Sequence, residues 1–592
     1  MKLADALVTT LRDWGVDYLF GVGGANIEHV FDAVHRLGDN RLKSVFAKSE
    51  VGAAFMADCR ARVHRTLGVC CATSGGGMMN LAVGIAESFA ESVPVLAIVG
   101  QPPTNLEGRG AFQDSSGKGR SVDADRLWGA ITKYRAKITN ASQFWACLES
   151  AVRAALSDRP GTAVLMIPRD MYDEEVGPKP AWLPDRLEDL VNLRTASPSE
   201  IAELFEVIRA AKSPMMILGS GVDRSANPQA VIEFARRMGI QVATTTANKA
   251  SFPNDDPLFL GTAGVAGEPS VHEALRDRAD LIIAVGTGLN VMTRNPLADT
   301  LKPERLVVVN IDKSEVLEFI RPALLVEADA GLVFTELNKL CELHQVVPRT
   351  MKKLPLKRFS AELAPELPPL GYDDVTAEFR GPEELLQSTA IQEIQRILPA
   401  SGHIVFDAGN CAVAAMHYLR IPRDVTSTIA LGMGGMGYSI PAAVGAQLGS
   451  PPGTRTIVFC GDGAFLMLGT EIHTAVHYQL PILFIVFNNA MHGMCVTRQQ
   501  IYFDGRIECS RYPAFSVAGV ARGLGRRGRL WVGSAGSTHE LATCLDDYES
   551  QSSLPGVLEL RLTREQVPPF VPFLPQNANT FVVAPTYATA SF

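Results

Sequence analysis

A chain of 592 residues exceeds the size at which a single hydrophobic core stops growing, so about three domains are expected. Apolar residues make up 47% and charged residues 20%, which is ordinary globular usage and excludes wholesale disorder. The net charge is −8, and the lysines and arginines stand singly rather than in runs, which argues against a nucleic-acid partner.

Residues 1–185 alternate helix and strand. A helix from Leu3 to Trp14 is followed by strands YLFGV and SVFA, a helix after Glu50, strand LGVCCAT, a helix from Met78 and strand VPVLAIVG. Such alternation predicts a parallel sheet covered by helices. The N-terminal helix mixes charges into its apolar pattern, unlike a signal peptide, and nowhere do 18 apolar residues run together; no membrane association and a cytoplasmic location are expected. Ten cysteines form no CxxC pair, which predicts a reducing compartment and no structural zinc. After TAVLMIPRDM, the Pro-rich stretch VGPKPAWLPD leads to a second alternating block at 195–345, with strands PMMILGSG, IQVATT, DLIIAVGTG and RLVVVNID. Residues 351–380, rich in proline and charge, read as an exposed interdomain linker. The third block, 381–570, carries strands HIVFDAG, TIVFCGDG, PILFIVFNN and GVLELRL, and a charge-poor tail at 571–592 is expected to cover a surface or be disordered. The predicted fold class is α/β, with three doubly wound parallel-sheet domains.

The segment GDGAFLMLGTEIHTAVHYQLPILFIVFNNAM, from Gly461 to Met491, sets a carboxylate, Asp462, and an amide, Asn489, at the two ends of a strand-helix-strand unit. Mg²⁺ prefers an octahedral oxygen shell with one or two protein side chains, leaving positions for phosphate oxygens. The backbone N–H groups of Gly463 and Ala464 stand at a helix start, where the dipole favours anions. The pattern predicts a metal held against a diphosphate.

This signature resembles that of the thiamine diphosphate enzymes, and the chain resembles the acetolactate synthase branch, large-subunit type, over nearly its whole length. ALGMGGMGYSIPAAVGAQLG at 430–449 resembles the segment that grips the aminopyrimidine, which implies a Gly434 carbonyl facing the cofactor's amino group and Met436 as the wedge that bends it. KSEVGAAFMADCRAR at 48–62 resembles the segment with the activating glutamate, which falls on Glu50. DAGN at 407–410 resembles the second diphosphate turn, with Gly409 allowing close approach and Asn410 donating a hydrogen bond. The resemblance implies Asp462, Asn489 and the Met491 carbonyl as Mg²⁺ ligands. It names the three blocks pyrimidine-binding, central and diphosphate-binding, and implies a homodimer or homotetramer with active sites between the first domain of one subunit and the third of another.

GRGAFQDSSG at 108–117 resembles the synthase AFQE segment, which implies Phe112 as a pocket wall and Gln113 as the hydrogen-bonding partner of the tetrahedral intermediate. Decarboxylases of the superfamily tend to carry a His-His pair here; this chain has none, which favours carboligation. Lys133 matches a lysine lining the synthase entrance. Met494 and Arg498 fall in the substrate pocket, and Arg498 stands where synthases carry a size-setting tryptophan; its planar fork could pair with a carboxylate or sulfonate, or face solvent. Acetolactate synthases hold FAD in the central domain. GLNVMTRN departs from their Arg-rich segment, and GSG at 219–221 lacks a third glycine because Arg224 stands there, so FAD is doubtful and GSG reads as a strand-helix turn.

The expected activity is thiamine diphosphate- and Mg²⁺-dependent decarboxylation of a 2-oxo acid with transfer of the acyl-carbanion equivalent to a second carbonyl. The alternatives are a non-ligating 2-oxo acid decarboxylase and an enzyme with another acceptor, of sulfoacetaldehyde or acyl-CoA type. A non-catalytic binding protein is disfavoured by the retention of Glu50, Asp462 and Asn489 together.

Overall fold

The computed structural model describes residues 1–350, 379, 383–525, 528–563 and 565–574. The linker expected at 351–380 therefore lies, but for Phe379, outside the described residues, as does the tail beyond Leu574. Three six-stranded parallel sheets follow one another along the chain, each with helices between its strands.

The first sheet contains β1 (Tyr18–Gly21), β2 (Lys43–Phe46), β3 (Gly68–Ala72), β4 (Val95–Gln101), β5 (Tyr134–Lys137) and β6 (Thr162–Pro168), in the order β2-β1-β3-β4-β6-β5. The second contains β7 (Pro214–Leu218), β8 (Gln241–Thr245), β9 (Phe259–Ala263), β10 (Leu281–Val285), β11 (Leu306–Asn310) and β12 (Leu324–Glu327), in the order β12-β11-β10-β7-β8-β9. The third contains β13 (Ser401–Phe406), β14 (Asp424–Ile429), β15 (Arg455–Gly461), β16 (Ile482–Asn488), β17 (Trp531–Ala535) and β18 (Gly556–Arg561), in the order β14-β13-β15-β16-β18-β17.

Central strands are apolar but for a terminal residue because helices cover both faces: every residue of β4, β6 and β16 is buried. The strand order switches direction between β1 and β3 in the first sheet, between β7 and β10 in the second and between β13 and β15 in the third, and the carboxyl ends of strands at such switch points are where α/β sheets place ligands.

The first and third domains pack through helix Glu50–His64 against helix Ser439–Gln447. Small residues let the two approach closely: a Cβ at Gly445 would lie 2.8 Å from the Met56 carbonyl carbon. A buried polar knot pins the pair, with Tyr438 donating its hydroxyl to Asp58 at 2.6 Å and Arg62 donating to the same carboxylate at 2.7 Å. Asp58 is buried and Arg62 largely so, and the carboxylate also accepts from Ser88, so the charge is compensated on several sides rather than left bare.

Candidate functional site

Two groups of polar residues gather at strand carboxyl ends, one in the first domain and one in the third. Glu50 is the first residue of its helix, whose N-cap Ser49 accepts from the Gly52 N–H at 3.0 Å. Its carboxylate accepts from Asn80 Nδ2 at 3.0 Å and lies along the start of helix Gly76–Ala90, where a Cβ at Gly77 would meet Glu50 Oε1 at 3.0 Å. Gln113 reaches the same turn: its Oε1 accepts from Thr73 Oγ1 at 3.5 Å, and its backbone is left-handed, with φ of 60°. A non-glycine residue held there is strained, and such strain persists only where surrounding packing imposes it. Phe112, beside it, is 84% exposed, so within one chain it walls no pocket.

The third-domain group is denser. Asp462 is buried at the start of helix Asp462–Leu468; its Oδ1 accepts from the Gly463 N–H at 2.9 Å and its Oδ2 from the Asn489 N–H at 3.2 Å. Asn489 is therefore joined to Asp462 directly, across neighbouring strands β15 and β16. Next to it, Met491 forms an antiparallel bridge with Arg511 whose hydrogen bonds run through the His492 N–H and the Ala490 carbonyl. In such a pairing the Met491 carbonyl points away from the bridge, so it is not spent there. Gly463 must lack a side chain: a Cβ would meet the Met436 methyl at 3.1 Å and the His492 ring at 2.7 Å. Ala464 is buried in the same helix. Gly434 has a φ of 65° and Gly409 a φ of 105°, both in backbone that favours glycine, and Gly409 caps the helix that begins with Asn410.

Electrostatically this pocket calls for a cation. Burial pushes the Asp462 carboxyl up to about 6 and the Glu565 carboxyl up to about 8, and the Asp462 charge adds to the latter. Buried Asn410 Oδ1 and His492 Nδ1 have no hydrogen-bond partner among the described residues, and the Tyr512 hydroxyl lies beside Asp462 without a hydrogen bond of ordinary geometry. A divalent cation would neutralise the carboxyls and take up carboxylate, amide and backbone oxygens, and the helix start at Asp462 favours an anionic group beside it. The residues present fit a metal-bridged diphosphate.

The structure corrects two expectations from the sequence. The Asn410 side chain does not offer a donor to a diphosphate: its Nδ2 is spent on Thr497 Oγ1 at 3.1 Å and Glu565 Oε1 at 2.7 Å, leaving only the acceptor end of the amide. Lys133 does not join either group. It precedes edge strand β5, at the opposite end from the loops that carry Glu50 and Gln113, and its Nζ donates to the Ser157 and Arg159 carbonyls at 3.0 and 2.6 Å. Met494 and Arg498 lie one turn apart on helix Gly493–Tyr502, on one face; Met494 is half-buried and Arg498 exposed, with its Nη2 3.5 Å from Cys495 Sγ.

Four carboxylates escaped the sequence reading as members of these sites. Asp407, inside the DAGN turn, accepts from the N–H groups of Gly437 and Ser439, both at 2.9 Å, and so ties the Gly409 turn to the Met436 loop. Glu87, from the first domain, accepts three backbone N–H groups at Gly432, Met433 and Gly434, and shapes the loop that presents Gly434. Glu471 accepts from the N–H groups of Lys48 and Ser49 at 2.9 and 2.8 Å, directly before Glu50. Glu565 joins Asn410 to Asn489. Asp407 and Glu471 stood inside quoted motifs, DAGN and the Gly461–Met491 segment, while Glu87 and Glu565 had no local signal.

In the central domain a cavity of about 720 Å³ opens at the point where β7 and β10 part, between Gly219-Ser220-Gly221 and Gly286-Thr287-Gly288. GSG is the strand-helix turn expected. The cavity's three guanidinium groups are already engaged: Arg224 on Ser220 and the Glu91 and Ser92 carbonyls, Arg159 on Asp312 and Glu315, Arg65 on the Ser225 carbonyl. No flavin is assigned to it.

Comparison with known proteins agrees with this geometry. Residues 1–119 match the thiamine pyrophosphate enzyme N-terminal TPP binding domain, 201–337 its central domain and 407–553 its C-terminal TPP binding domain. A probable acetolactate synthase large subunit of Methanocaldococcus jannaschii is 29% identical over 86% of this chain and 83% of its own length. A probable chloroplastic acetolactate synthase 2 of Oryza sativa subsp. japonica is 31% identical over 85% of this chain and 73% of its own length. The thiamine diphosphate-dependent 4-hydroxybenzoylformate decarboxylase of Rhodococcus jostii RHA1 shares the fold with a TM-score of 0.76 at 20% identity, over 95% of this chain and 99% of that one. With three consecutive domain matches in the order of the three sheets, the chain belongs to the thiamine pyrophosphate enzymes, as an acetolactate synthase-like member that makes or breaks carbon–carbon bonds.

Proposed function

We propose that the protein decarboxylates a 2-oxo acid and transfers the resulting acyl-carbanion equivalent to a second carbonyl compound. The observation that carries this reading is the strained Gln113, packed on the Thr73 turn beside Glu50, where it would hydrogen-bond a substrate that must persist long enough to meet an acceptor. Thiamine diphosphate, when bound, supplies the electron sink for decarboxylation. In this reading Glu50 holds and returns the proton at the aminopyrimidine. Asp462, Asn489 and the Met491 carbonyl hold Mg²⁺, the Gly463 backbone receives the diphosphate, and Met436, poised over Gly463, supports the bent cofactor. Arg498 would meet an acceptor that carries a carboxylate or sulfonate.

Around the two half-sites large apolar side chains stand exposed: Met79 at 43%, Val83 at 48%, Met433 at 63%, Leu466 at 55% and Met467 at 52%. Their number supports coverage by a second copy, which would bring the Glu50 group of one subunit to the Asp462 group of the other. Light scattering should give a dimer or tetramer; a fully active monomer would refute this assembly. The reaction is tested by mass spectrometry of products from a panel of 2-oxo acids with aldehyde and keto acceptors. Acyloins or acetohydroxyacids are expected, and free aldehyde alone would overturn carboligation.

A further inference from the structure

Two amides of the third-domain site end on one carboxyl group. Asn410 Nδ2 donates to Glu565 Oε1 at 2.7 Å, and Asn489 Nδ2 donates to Glu565 Oε2. A primary amide has a donor end and an acceptor end, so anchoring one decides where the other points. With its Nδ2 held by Glu565, Asn489 turns its Oδ1 away from that carboxyl, while its backbone N–H stays on Asp462 Oδ2 at 3.2 Å. Asn410 is oriented twice over. Its Nδ2 also donates to Thr497 Oγ1, which cannot reciprocate because that hydroxyl donates to the Gly493 carbonyl at 2.9 Å. The Asn410 Oδ1 is left buried and without a hydrogen-bond partner among the described residues.

Rotating either amide would turn its NH₂ away from the Glu565 oxygen that now accepts from it and set two acceptor oxygens against each other. Glu565 is packed on one side: a Cβ at Gly493 would lie 2.8 Å from its carboxyl carbon, so the group rests against the start of helix Gly493–Tyr502. Glu565 reaches the site from the segment after β18, 76 residues beyond Asn489 and 155 beyond Asn410, so local chain geometry does not impose the contact.

We propose that Glu565 is a positioning residue of the metal site, which orients Asn489, and with it Asn410, so that amide oxygen rather than NH₂ is offered to a bound divalent cation. The inference rests on Asp462 and Asn489 being the metal's side-chain ligands. Groups that orient metal ligands typically change metal affinity by roughly 10–100-fold when replaced. Glu565→Gln keeps the volume but sets an NH₂ against one of the two amides; Glu565→Asp keeps the carboxyl group but falls one methylene short of reaching both.

The test is a Mg²⁺ titration of the apo full-length protein at fixed, saturating thiamine diphosphate, followed by tryptophan fluorescence and calorimetry. Both variants should bind Mg²⁺ roughly 10–100-fold more weakly, while the melting temperature of the metal-free protein stays close to that of the wild type. In an Asn489→Ala background, Glu565→Gln should cause a clearly smaller loss than in the wild type, because only the Asn410 contact remains to be disturbed, which a merely structural role would not predict. Mg²⁺ affinity unchanged in both variants overturns the proposal, as does an equal loss in the Asn489→Ala background. Wild-type protein that shows no Mg²⁺-dependent binding of thiamine diphosphate overturns the underlying reading as well, and so separates the two failures.

Discussion

Gly52 and Glu471 offer a direct probe of how the third domain holds Glu50 in place. A methyl group at position 52 would lie 2.6 Å from the Glu471 carboxyl carbon, whereas carbon atoms in contact sit about 3.5–4.0 Å apart. Glu471 would have to withdraw by about 1 Å. That shift carries its bonds from the Lys48 and Ser49 N–H groups, now 2.9 and 2.8 Å, beyond hydrogen-bonding range. Hydrogen bonds to a charged acceptor contribute about 1.5–3 kcal/mol each, so losing the two costs about 3–6 kcal/mol locally. Alanine in a helix returns up to about 1 kcal/mol relative to glycine. Glu471→Ala removes the same two acceptor contacts and frees the space that the methyl group needs. Gly52→Ala should therefore be strongly destabilising alone and neutral or slightly stabilising in the Glu471→Ala background, a coupling of about 3 kcal/mol. Because three domains do not unfold as one, the readout is amide hydrogen exchange by mass spectrometry in a peptide covering residues 46–56. Each single variant should exchange roughly 100-fold faster there than wild type, and the double variant no faster than Glu471→Ala. Effects that simply add, or exchange unaltered in Gly52→Ala, would refute the clasp.

Glu50→Gln should lower turnover by about 10²–10⁴-fold while binding of thiamine diphosphate, measured separately by fluorescence, is largely retained; unchanged turnover removes Glu50 from its proposed role. Arg498→Gln should raise KM for a carboxylate-bearing acceptor by roughly 10–100-fold, the worth of a charged hydrogen bond, and leave neutral aldehydes little affected; equal effects on both would place the guanidinium in solvent. His403 and His272 are buried, and desolvation holds them down to about 3 and about 4, below the ordinary 6.5. For such groups the unfolded chain binds more protons, so their contribution to stability is full above pH 6.5 and is lost as the pH falls toward the folded values. Melting temperature should therefore drop between pH 6.5 and pH 4.5, with each histidine contributing about 1.4 kcal/mol per pH unit. His403→Gln should flatten that slope, and a variant that parallels wild type would show the ring to be neutral in its effect.

The sequence by itself was enough for the interior of each sheet. Runs such as PILFIVF, LIIAV and VPVLAIVG are apolar without interruption because helices bury both faces, and that pattern needs no knowledge of neighbours. Edge strands β5, β9, β12, β14 and β17 passed unnoticed. Sequences such as YRAK, LLVE and DVTSTI are short and mixed in polarity, since a strand with one open side lacks the burial that writes the pattern. Asp462 and Asn489 were legible because adjacent strands and the intervening helix deliver them together within one local unit. Glu87, Glu471 and Glu565 were not. The role of each, even of Glu471 inside the quoted segment, is set only when folding brings it to amides 345, 423 or 155 residues away. The same is true of Asn410, whose residue type suits donor and acceptor alike. Which end remains for a ligand is decided by Thr497 and Glu565, because a hydrogen-bonding group's role depends on the partners already facing it, and those partners are arranged only in three dimensions.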